Sequence, residues 1–299
     1  MKNILLIGAK EAGDKNNVDT IRSQIHIDEL NVEVVYWEDI VVDITSNNVS
    51  VWSNGKDVLA AKPALVMMFG WYKNGAKSYY RDVAFAVAMY MKSKNIPVWN
   101  SEVLSQRSTT KLSCLVQLAL EGCRVPDTRY SMNHKELIAN VKLPFVAKAV
   151  AASRGENNHL VRSADSIDRA FANDIQWIIQ PFLPNDHDLR VICFGGEPRF
   201  VLKRSRAADA KTHLNNTSQG GTSEAIDIKN IRSELLTESR KICKIMKREM
   251  AGIDFIPDGN SPNGYSCLEV NAIPQLTSGH DVEGKMRMLY QSIMEGMAA

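Results

Sequence analysis

Short apolar runs alternate with longer polar or amphipathic stretches over the first third of the chain. The runs predict strands over residues 4–8, 32–37, 63–69 and 96–99. A polar stretch that extends to about residue 30 and the helical spacing of apolar residues over 79–91 predict helices between them. Residues 47–59 alternate around Asn54-Gly55, a dipeptide typical of a β-hairpin. This order of elements favours a small α/β domain at the start of the chain.

The rest of the chain contains further predicted strands, together with two helices. Ser108 or Thr109 is suited to cap a helix that ends at Gly122. A second helix is predicted over residues 231–250. The predicted strands cover residues 143–150, 177–182, 188–194, 198–204, 252–257 and 265–271. Strands and helices are therefore mixed throughout, which indicates the α/β (α+β) fold class.

The composition narrows the class of protein. The 299 residues correspond to about two domains at the usual size of roughly 150 residues. The 36 basic and 34 acidic residues leave a net charge of +2, which argues against a dedicated nucleic-acid-binding protein. The hydrophobic fraction of 44% is that of a globular chain rather than a disordered one.

Cysteines and apolar segments favour a cytoplasmic location. The five cysteines are widely spaced and form no C-x-x-C pair, so we expect neither a disulfide framework nor a structural zinc site. The apolar run at residues 4–7 is too short for the core of a signal peptide. The longest apolar stretch, residues 84–91, is far shorter than the roughly 20 residues that span a bilayer. We therefore expect an intracellular enzyme without a membrane segment.

Motifs of several common catalytic sites do not occur in the sequence. Residues 8–13 have the glycine spacing of a phosphate loop, but the lysine and hydroxyl residue that must follow are missing. The six histidines show no metal-ligand spacing, and there is no G-x-S-x-G segment. A Walker-type nucleotide site, a histidine-based metal site and a serine nucleophile are therefore not expected.

Acidic and amide side chains near the end of the chain suggest a metal site. Glu269 and Asn271 lie two residues apart in a predicted strand, so their side chains point to the same face. Asp254 lies in an otherwise apolar strand, and pairing across the 258–264 loop would bring it to the same place. Carboxylate and amide oxygens are ligands that Mg²⁺ prefers. The alternative is that these acids face solvent at the edge of a sheet.

A series of segments resembles, in the same order, the motifs of the RimK-like carboxylate–amine ligases, which are ATP-grasp enzymes. The first segments are Asn100-Ser101, Lys111, Val125-Pro126-Asp127-Thr128, Phe145-Val146-Ala147-Lys148 and residues 177–183. The later ones are Asp188-Leu189-Arg190, Arg204, residues 216–221, Asp254 and residues 269–274. The resemblance covers about residues 98–276, and its specificity lies in the order of the motifs.

This resemblance implies a fold and a division of the chain. It implies an ATP-grasp fold preceded by a Rossmann-like pre-ATP-grasp domain. We accordingly expect an N-terminal α/β domain over residues 1–97, a central ATP-grasp subdomain over 98–184 and a C-terminal ATP-grasp subdomain with the metal site over 185–299. The nucleotide would lie between the two subdomains.

The resemblance also implies roles for individual residues. The implied ATP-binding residues are Lys111, Lys148, Ser153, Gly155, Gln180, Pro181, Phe182, Leu183 and Asp188. The two lysines would bind phosphates, residues 180–183 the adenine, and Asp188 the ribose. The implied ligands of Mg²⁺ or Mn²⁺ are Asp254, Glu269 and Asn271. The implied catalytic residues are Arg190, Arg204 and Asn216.

The chain departs from the family's pattern at three places. Gly155 is the only glycine of the 153–157 loop, which bears on closure of this loop over the phosphates. Pro181 lacks the N–H of the adenine hinge but keeps a carbonyl that can accept from the adenine amino group. Ile273 stands where relatives often carry a small polar residue, which bears on a substrate contact.

The activity implied by the resemblance is ATP-dependent formation of an amide bond through an acyl phosphate. The implied substrates are a carboxylate and an amine, on an amino acid or on the terminus of a peptide or protein. ATP and Mg²⁺ are the implied cofactors, neither a membrane nor a nucleic acid is an expected partner, and homo-oligomerisation is left open. Two alternatives also stay open: an ATP-grasp kinase for a small molecule, and a nucleotide-binding regulatory module without turnover.

Overall fold

The computed structural model describes residues 2–10, 18–25, 30–46, 48–70, 80–105, 110–151, 156–171, 175–207, 212–215 and 220–297. These residues form four β-sheets and seven α-helices. The helices are α1 (Val18–Gln24), α2 (Tyr80–Ser93), α3 (Lys111–Leu120), α4 (His134–Ile138), α5 (Ile167–Ala170), α6 (Ser233–Met246) and α7 (Val282–Gly296).

The first sheet is parallel and belongs to the N-terminal part of the chain. Its strands are β1 (Lys2–Gly8), β2 (Leu30–Tyr36), β6 (Leu65–Met68) and β7 (Val98–Trp99), in the order β2-β1-β6-β7. The apolar runs of β1 and β6 are buried along their whole length from Ile4 to Ile7 and from Leu65 to Met68. Burial of this kind is the reason that parallel strands read as continuous apolar runs.

A small antiparallel sheet follows β2 and contains the predicted hairpin. Its strands are β3 (Ile40–Thr45), β4 (Asn48–Ser53) and β5 (Lys56–Asp57). Asn54 and Gly55 connect β4 to β5 with φ angles of 50° and 74°, which confirms the turn predicted from this dipeptide. β3 was not predicted, because its apolar residues Val41 and Ile44 are exposed, which hides the usual alternation of apolar and polar positions.

The central part of the chain forms an antiparallel sheet of four strands. They are β8 (Arg129–Tyr130), β9 (Phe145–Ala149), β10 (Asn158–Val161) and β11 (Trp177–Pro181), in the order β10-β9-β11-β8. The backbone N–H of Lys111 donates to the carbonyl of Val150 (3.3 Å), so the start of α3 lies at the end of β9. The observed cap of α3 is Thr110; Ser108 and Thr109 lie outside the described residues.

The C-terminal part of the chain forms an antiparallel sheet of five strands. They are β12 (His187–Phe194), β13 (Glu197–Ser205), β14 (Thr222–Ile226), β15 (Met250–Pro257) and β16 (Tyr265–Asn271), in the order β14-β13-β12-β15-β16. The predicted strands in this region are confirmed, and β16 has the predicted bounds. Helix α6 packs on one face of the sheet through Leu235, Ile242 and Met246.

One hydrophobic core joins the N-terminal sheet to the C-terminal sheet. Leu6 and Phe69 of the N-terminal part pack in the same cluster as Ile192 and Phe194 of β12 and Leu289 of α7. The two sheets are therefore bound to each other by buried apolar side chains. The division at residues 97 and 184 stays a prediction.

Several elements differ from those predicted. The helix expected up to about residue 30 covers only 18–24 among the described residues, because Leu30 already begins β2. The helix expected to end at residue 250 ends at Met246, since Lys247 adopts a left-handed φ of 53° and Met250 begins β15. The elements β8, β10, β14 and α7 were not predicted. No helix in the described part of the chain is long and apolar enough to cross a bilayer.

Replacement of Leu289 by alanine tests whether α7 belongs to the shared core. Leu289 is fully buried, so Leu289→Ala should lower the free energy of unfolding by about 2–5 kcal/mol. The same substitution at Leu120, which is 83% exposed on α3, should change it by no more than about 0.5 kcal/mol. Urea unfolding followed by circular dichroism measures both, and equal effects would contradict the packing of α7.

Candidate active site

A row of charged side chains crosses one face of the C-terminal sheet. Asp188 on β12 lies opposite Arg204 on β13, and Arg190 on β12 lies opposite Asp254 on β15. Asp254 in turn lies opposite Glu269 on β16. Opposed residues of antiparallel strands share a face, as do residues two apart in a strand. The predicted site residues of four strands are thus brought together by strand register.

Asp254 is at the centre of this row and binds two arginines. Arg190 donates through Nε to Asp254 Oδ1 and through Nη2 to Oδ2, both at 2.7 Å. Arg204 Nη2 lies 3.1 Å from Asp254 Oδ2, and Arg204 Nε donates to Asp188 Oδ1 at 2.5 Å. The side chains of Arg204, Asp188 and Asp254 are all buried. Buried carboxylates and guanidinium groups therefore neutralise each other in a connected network.

The pKa values of this network follow from burial and from opposite charges. Burial alone would raise the pKa of Asp254, but Arg190 and Arg204 outweigh it and hold the pKa below the ordinary value. For Asp188, burial dominates over the attraction of Arg204, and the pKa is raised. Burial would lower the pKa of Arg204, but Asp254 and Asp188 raise it. Of these two carboxyl groups, Asp254 therefore loses its proton more readily than Asp188.

Glu269 and Asn271 lie at the end of β16 next to this network. Asn271 lies opposite Gly252, one position along the same face from Asp254. The Nδ2 atom of Asn271 is buried and has no hydrogen-bond partner in the described part of the chain. Among the described residues, no three His, Cys, Asp or Glu side chains form a metal-binding group. The donor set here is instead two carboxylates and one amide, which are oxygen ligands suited to Mg²⁺.

Lys148 lies on β9 of the central sheet and is bound by a buried glutamine. Lys148 Nζ donates to Gln180 Oε1 at 2.7 Å, and Gln180 Nε2 donates to Thr128 Oγ1 at 2.9 Å. Thr128 Oγ1 donates to the carbonyl of Pro126 at 2.8 Å. This chain of hydrogen bonds determines the direction in which the Lys148 ammonium points. The side chain of Gln180 is therefore committed to the lysine rather than exposed at the hinge.

The pKa of Lys148 shows which groups it faces. The pKa of Lys148 is lowered to about 8, mainly by burial and also by the positive charge of Lys111. Glu269 and Asp254 act in the opposite direction and raise it. The charges of Glu269 and Asp254 on the C-terminal sheet therefore act on Lys148 of the central sheet.

The predicted adenine hinge, residues 180–183, begins in β11 and continues beyond its end. The Phe182 amide donates to the carbonyl of Pro144 at 3.2 Å, and Asn185 Nδ2 donates to the carbonyl of Leu183 at 2.7 Å. The guanidinium of Arg162 lies 5.7 Å from the ring centroid of Phe182. The adenine contacts expected of the Pro181 carbonyl and the Leu183 amide stay predictions.

Two further residues of this region, His213 and Arg206, were not found by sequence reasoning. His213 binds Asn158 of β10 through Nε2 at 2.9 Å, although the two are far apart in the sequence. The pKa of His213 is lowered to about 4, mainly by burial and also by the positive charges of Lys148 and Arg206. Arg206 itself donates to the carbonyl of Asn185. Neither His213 nor Arg206 lies in a recognisable motif, so no sequence signal marked them.

Three predicted site residues fall outside the described residues. They are Ser153, Gly155 and Asn216. Their predicted roles, in the phosphate loop and in catalysis, stay predictions.

The comparisons with known proteins identify the family. Residues 108–288 match the RimK-like ATP-grasp domain. A probable alpha-L-glutamate ligase from Aeromonas salmonicida is 27% identical over 272 residues, 85% of this chain and 85% of that protein. A protein of the same description from Trichodesmium erythraeum is 24% identical over 294 residues, 92% of this chain and 88% of that protein.

Solved structures agree at the level of the fold. The ATP-grasp ligase PsnB, in complex with a phosphomimetic variant of minimal precursor, Mg and ADP, has a TM-score of 0.70 at 18% identity. The match covers 100% of this chain and 99% of that chain. The predicted ATP-grasp fold is thereby confirmed. Since the domain match spans more than half of the chain, the chain belongs to the RimK-like ATP-grasp family. It is an ATP-dependent ligase that forms C–N bonds from a carboxylate and an amine.

The lowered pKa of Lys148 can be measured directly. In protein labelled at lysine side chains, NMR should show an ammonium that is charged at pH 7 and loses its proton with a midpoint of about 8. Lys285 should titrate in the same range, because burial lowers its pKa to about 8 as well. Lys148→Met should remove one of the two signals, and Lys285→Met the other. A Lys148 signal with the ordinary midpoint of about 10.4 would contradict the burial of this group.

Proposed function

We propose that this ligase activates a carboxylate as an acyl phosphate and joins it to the amine of an amino acid or peptide. The observation that supports this best is the charged row Asp188–Arg204–Asp254–Arg190, which ends at Glu269. The negative charges of Glu269 and Asp254 also act on Lys148 of the central sheet. Fixed positive and negative groups close to each other are suited to a magnesium–polyphosphate and to the charge that develops on it.

The nucleotide would lie between the central and C-terminal sheets. Lys148, directed by Gln180, and Lys111 at the start of α3 would bind phosphate oxygens as point charges. The carbonyl of Pro181 and the amide of Leu183 would bind the adenine. The described contacts favour a positioning role for Gln180 rather than an adenine contact.

Asp254, Glu269 and Asn271 would bind Mg²⁺ on the C-terminal sheet. Their oxygens are of the type this ion prefers, and the unpartnered Asn271 Nδ2 is left to donate to a phosphate oxygen. Bound Mg²⁺ would neutralise phosphate charge and polarise the transferred phosphoryl group. Glu269 lies beside Asp254, where it adds the second carboxylate of the set.

Arg190 and Arg204 would bind the reacting anions. A guanidinium has five N–H donors, and the contacts with Asp254 and Asp188 use only some of them. The remaining donors can bind a phosphoryl oxygen or the substrate carboxylate. Asp188 is buried and bound to Arg204, so its geometry favours orienting this arginine rather than binding the ribose.

The reaction would proceed in two displacements. A carboxylate oxygen attacks the γ-phosphorus, the bond from this phosphorus to the β-bridging oxygen breaks, and ADP leaves. The amine nitrogen then attacks the acyl carbon, the tetrahedral intermediate expels inorganic phosphate, and the nitrogen loses a proton. Arg190 and Arg204 would stabilise the negative charge in both steps, and Asn216 is proposed to contact the acyl group. No side chain of the enzyme needs to act as a nucleophile.

The names of similar proteins support the substrate class. The relatives in Aeromonas salmonicida and Trichodesmium erythraeum are described as probable glutamate ligases. The PsnB structure contains a precursor variant together with Mg and ADP. An amino acid such as glutamate and a peptide or protein terminus are therefore the first substrates to test.

Trapping with hydroxylamine tests the acyl phosphate. In a screen of carboxylates with ATP and Mg²⁺, hydroxylamine in place of the amine should give a hydroxamate and ADP in equal amounts. Colorimetric hydroxamate detection and an ADP assay measure the two products. ADP release that depends on the carboxylate but yields no hydroxamate would contradict the acyl-phosphate step and favour a small-molecule kinase.

Replacement of Glu269 tests the metal assignment. With the substrate pair found in the screen, Glu269→Gln should lower turnover by about 100-fold or more, the order expected for loss of one fixed contact to developing charge. The matched control is Glu224→Gln on β14, whose carboxylate is exposed and lies 3.5 Å from Lys203. Full turnover by Glu269→Gln, measured by ADP release, would rule out the assignment.

A further inference from the structure

The segment that follows β7 contacts the two strands that contain the proposed metal ligands. Asn100 and Glu102 are almost completely buried, although both are polar. Asn100 also adopts a φ of 63°, a left-handed conformation that asparagine tolerates better than most residues. Burial of polar groups is unfavourable unless they are hydrogen-bonded, so we expect both side chains to have hydrogen-bond partners.

Asn100 uses its side-chain amide to join β15 to the end of β16. Its Nδ2 donates to the carbonyl of Ala272 at 2.9 Å, and its Oδ1 accepts from the amide of Met250 at 3.0 Å. The backbone N–H of Asn100 donates to Glu249 Oε2 at 2.6 Å. The side chain therefore connects the first residue of β15 to the residue just after β16.

Arg248 provides a second contact of the same kind. Its Nη1 donates to the carbonyl of Val270, and its Nε donates to Glu102. Both side chains are about 3% exposed. The carboxylate of Glu102 thus orients the guanidinium of Arg248, and Nη1 of this guanidinium binds the backbone of β16.

The two carbonyls bound in this way lie on either side of Asn271. Val270 precedes Asn271 and Ala272 follows it, so Arg248 and Asn100 together determine the backbone position of that residue. On the opposite strand, a side chain at Gly252 would come within 3.1 Å of Pro274 Cβ, so the turn after Asn271 is closely packed there as well. Asn271 is thereby held at its backbone, while its side-chain Nδ2 stays unpartnered among the described residues.

We propose that Asn100 and Arg248 are positioning residues for the metal site, which act by orienting Asn271. This inference rests on the proposed role of Asn271 as a Mg²⁺ ligand. A purely structural role for the same contacts would weaken folding without selectively changing the requirement for Mg²⁺. Groups that orient metal ligands typically change metal affinity by 10–100-fold when they are replaced.

The test uses the full-length protein with Mg²⁺ and the ATP analogue AMPPNP, so that no substrate is needed. Asn100→Gly removes both side-chain bonds and keeps the left-handed backbone conformation. Arg248→Lys keeps the charge beside Glu102 but loses the fork that binds Val270. Calorimetry should show that each variant raises the Mg²⁺ concentration for half-maximal AMPPNP binding by about 10-fold or more, while AMPPNP affinity in EDTA stays within about twofold of the wild type.

A control variant separates positioning from stability. Ser266→Ala removes a buried hydrogen bond of 2.6 Å to Asp258 at the other end of the same β15–β16 hairpin. It should lower the melting temperature without changing the Mg²⁺ requirement. The inference is overturned if both Asn100→Gly and Arg248→Lys leave the Mg²⁺ requirement unchanged, or if they weaken AMPPNP binding equally with and without Mg²⁺.

Asn271→Ala distinguishes failure of this inference from failure of the proposed function. This variant should itself raise the Mg²⁺ requirement, and Asn100→Gly should then add nothing further, because the ligand that it orients is gone. If Asn271→Ala leaves the requirement unchanged, the metal assignment fails and the inference fails with it. If Asn271→Ala behaves as expected but Asn100→Gly adds its full effect in the double variant, only the inference is wrong.

Discussion

The arrangement of the C-terminal sheet depends on one buried carboxylate. Asp254 lies in an apolar strand, where an unpaired charge would be strongly unfavourable. Both of its oxygens contact a guanidinium group, because β12 places Arg190 opposite it and β13 places Arg204 within reach. A shift of one residue in any of these strands would turn the partners to the other face. The charge of Asp254 therefore selects a single register for the neighbouring strands.

The same register explains how much of the site could be predicted from the sequence. Residues that share a strand, such as Glu269 and Asn271, follow from alternation alone, and their pairing with Asp254 follows from the short loop between the strands. His213 could not be found in this way, because it lies outside the strands, between β13 and β14, and contacts Asn158 in the central sheet. Asn100 lies in Asn100-Ser101, one of the segments that resemble the family's motifs. Its hydrogen bonds to β15 and to the residue after β16 nevertheless depend on packing between distant parts of the chain.

The elements that were not predicted have a related explanation. Long apolar strands such as β1 and β12 were found because burial on both faces leaves a clear pattern. The strands β8 and β14 were missed because they are very short or mostly exposed and owe their conformation to the strand beside them. Helix α7 was missed although it completes the shared core, since its buried face includes a lysine, Lys285, that binds two backbone carbonyls.

The charged groups of the C-terminal sheet and those of the central sheet are balanced differently. On the C-terminal sheet, acids and arginines neutralise one another, so Asp254 is ionised at little expense. On the central sheet, Lys148 has no carboxylate at hydrogen-bond distance among the described residues, and its proton is held weakly. His213 is kept neutral because burial and the positive charges of Lys148 and Arg206 lower its pKa. A polyanion between the sheets would raise the pKa of both groups, because added negative charge favours their protonated forms.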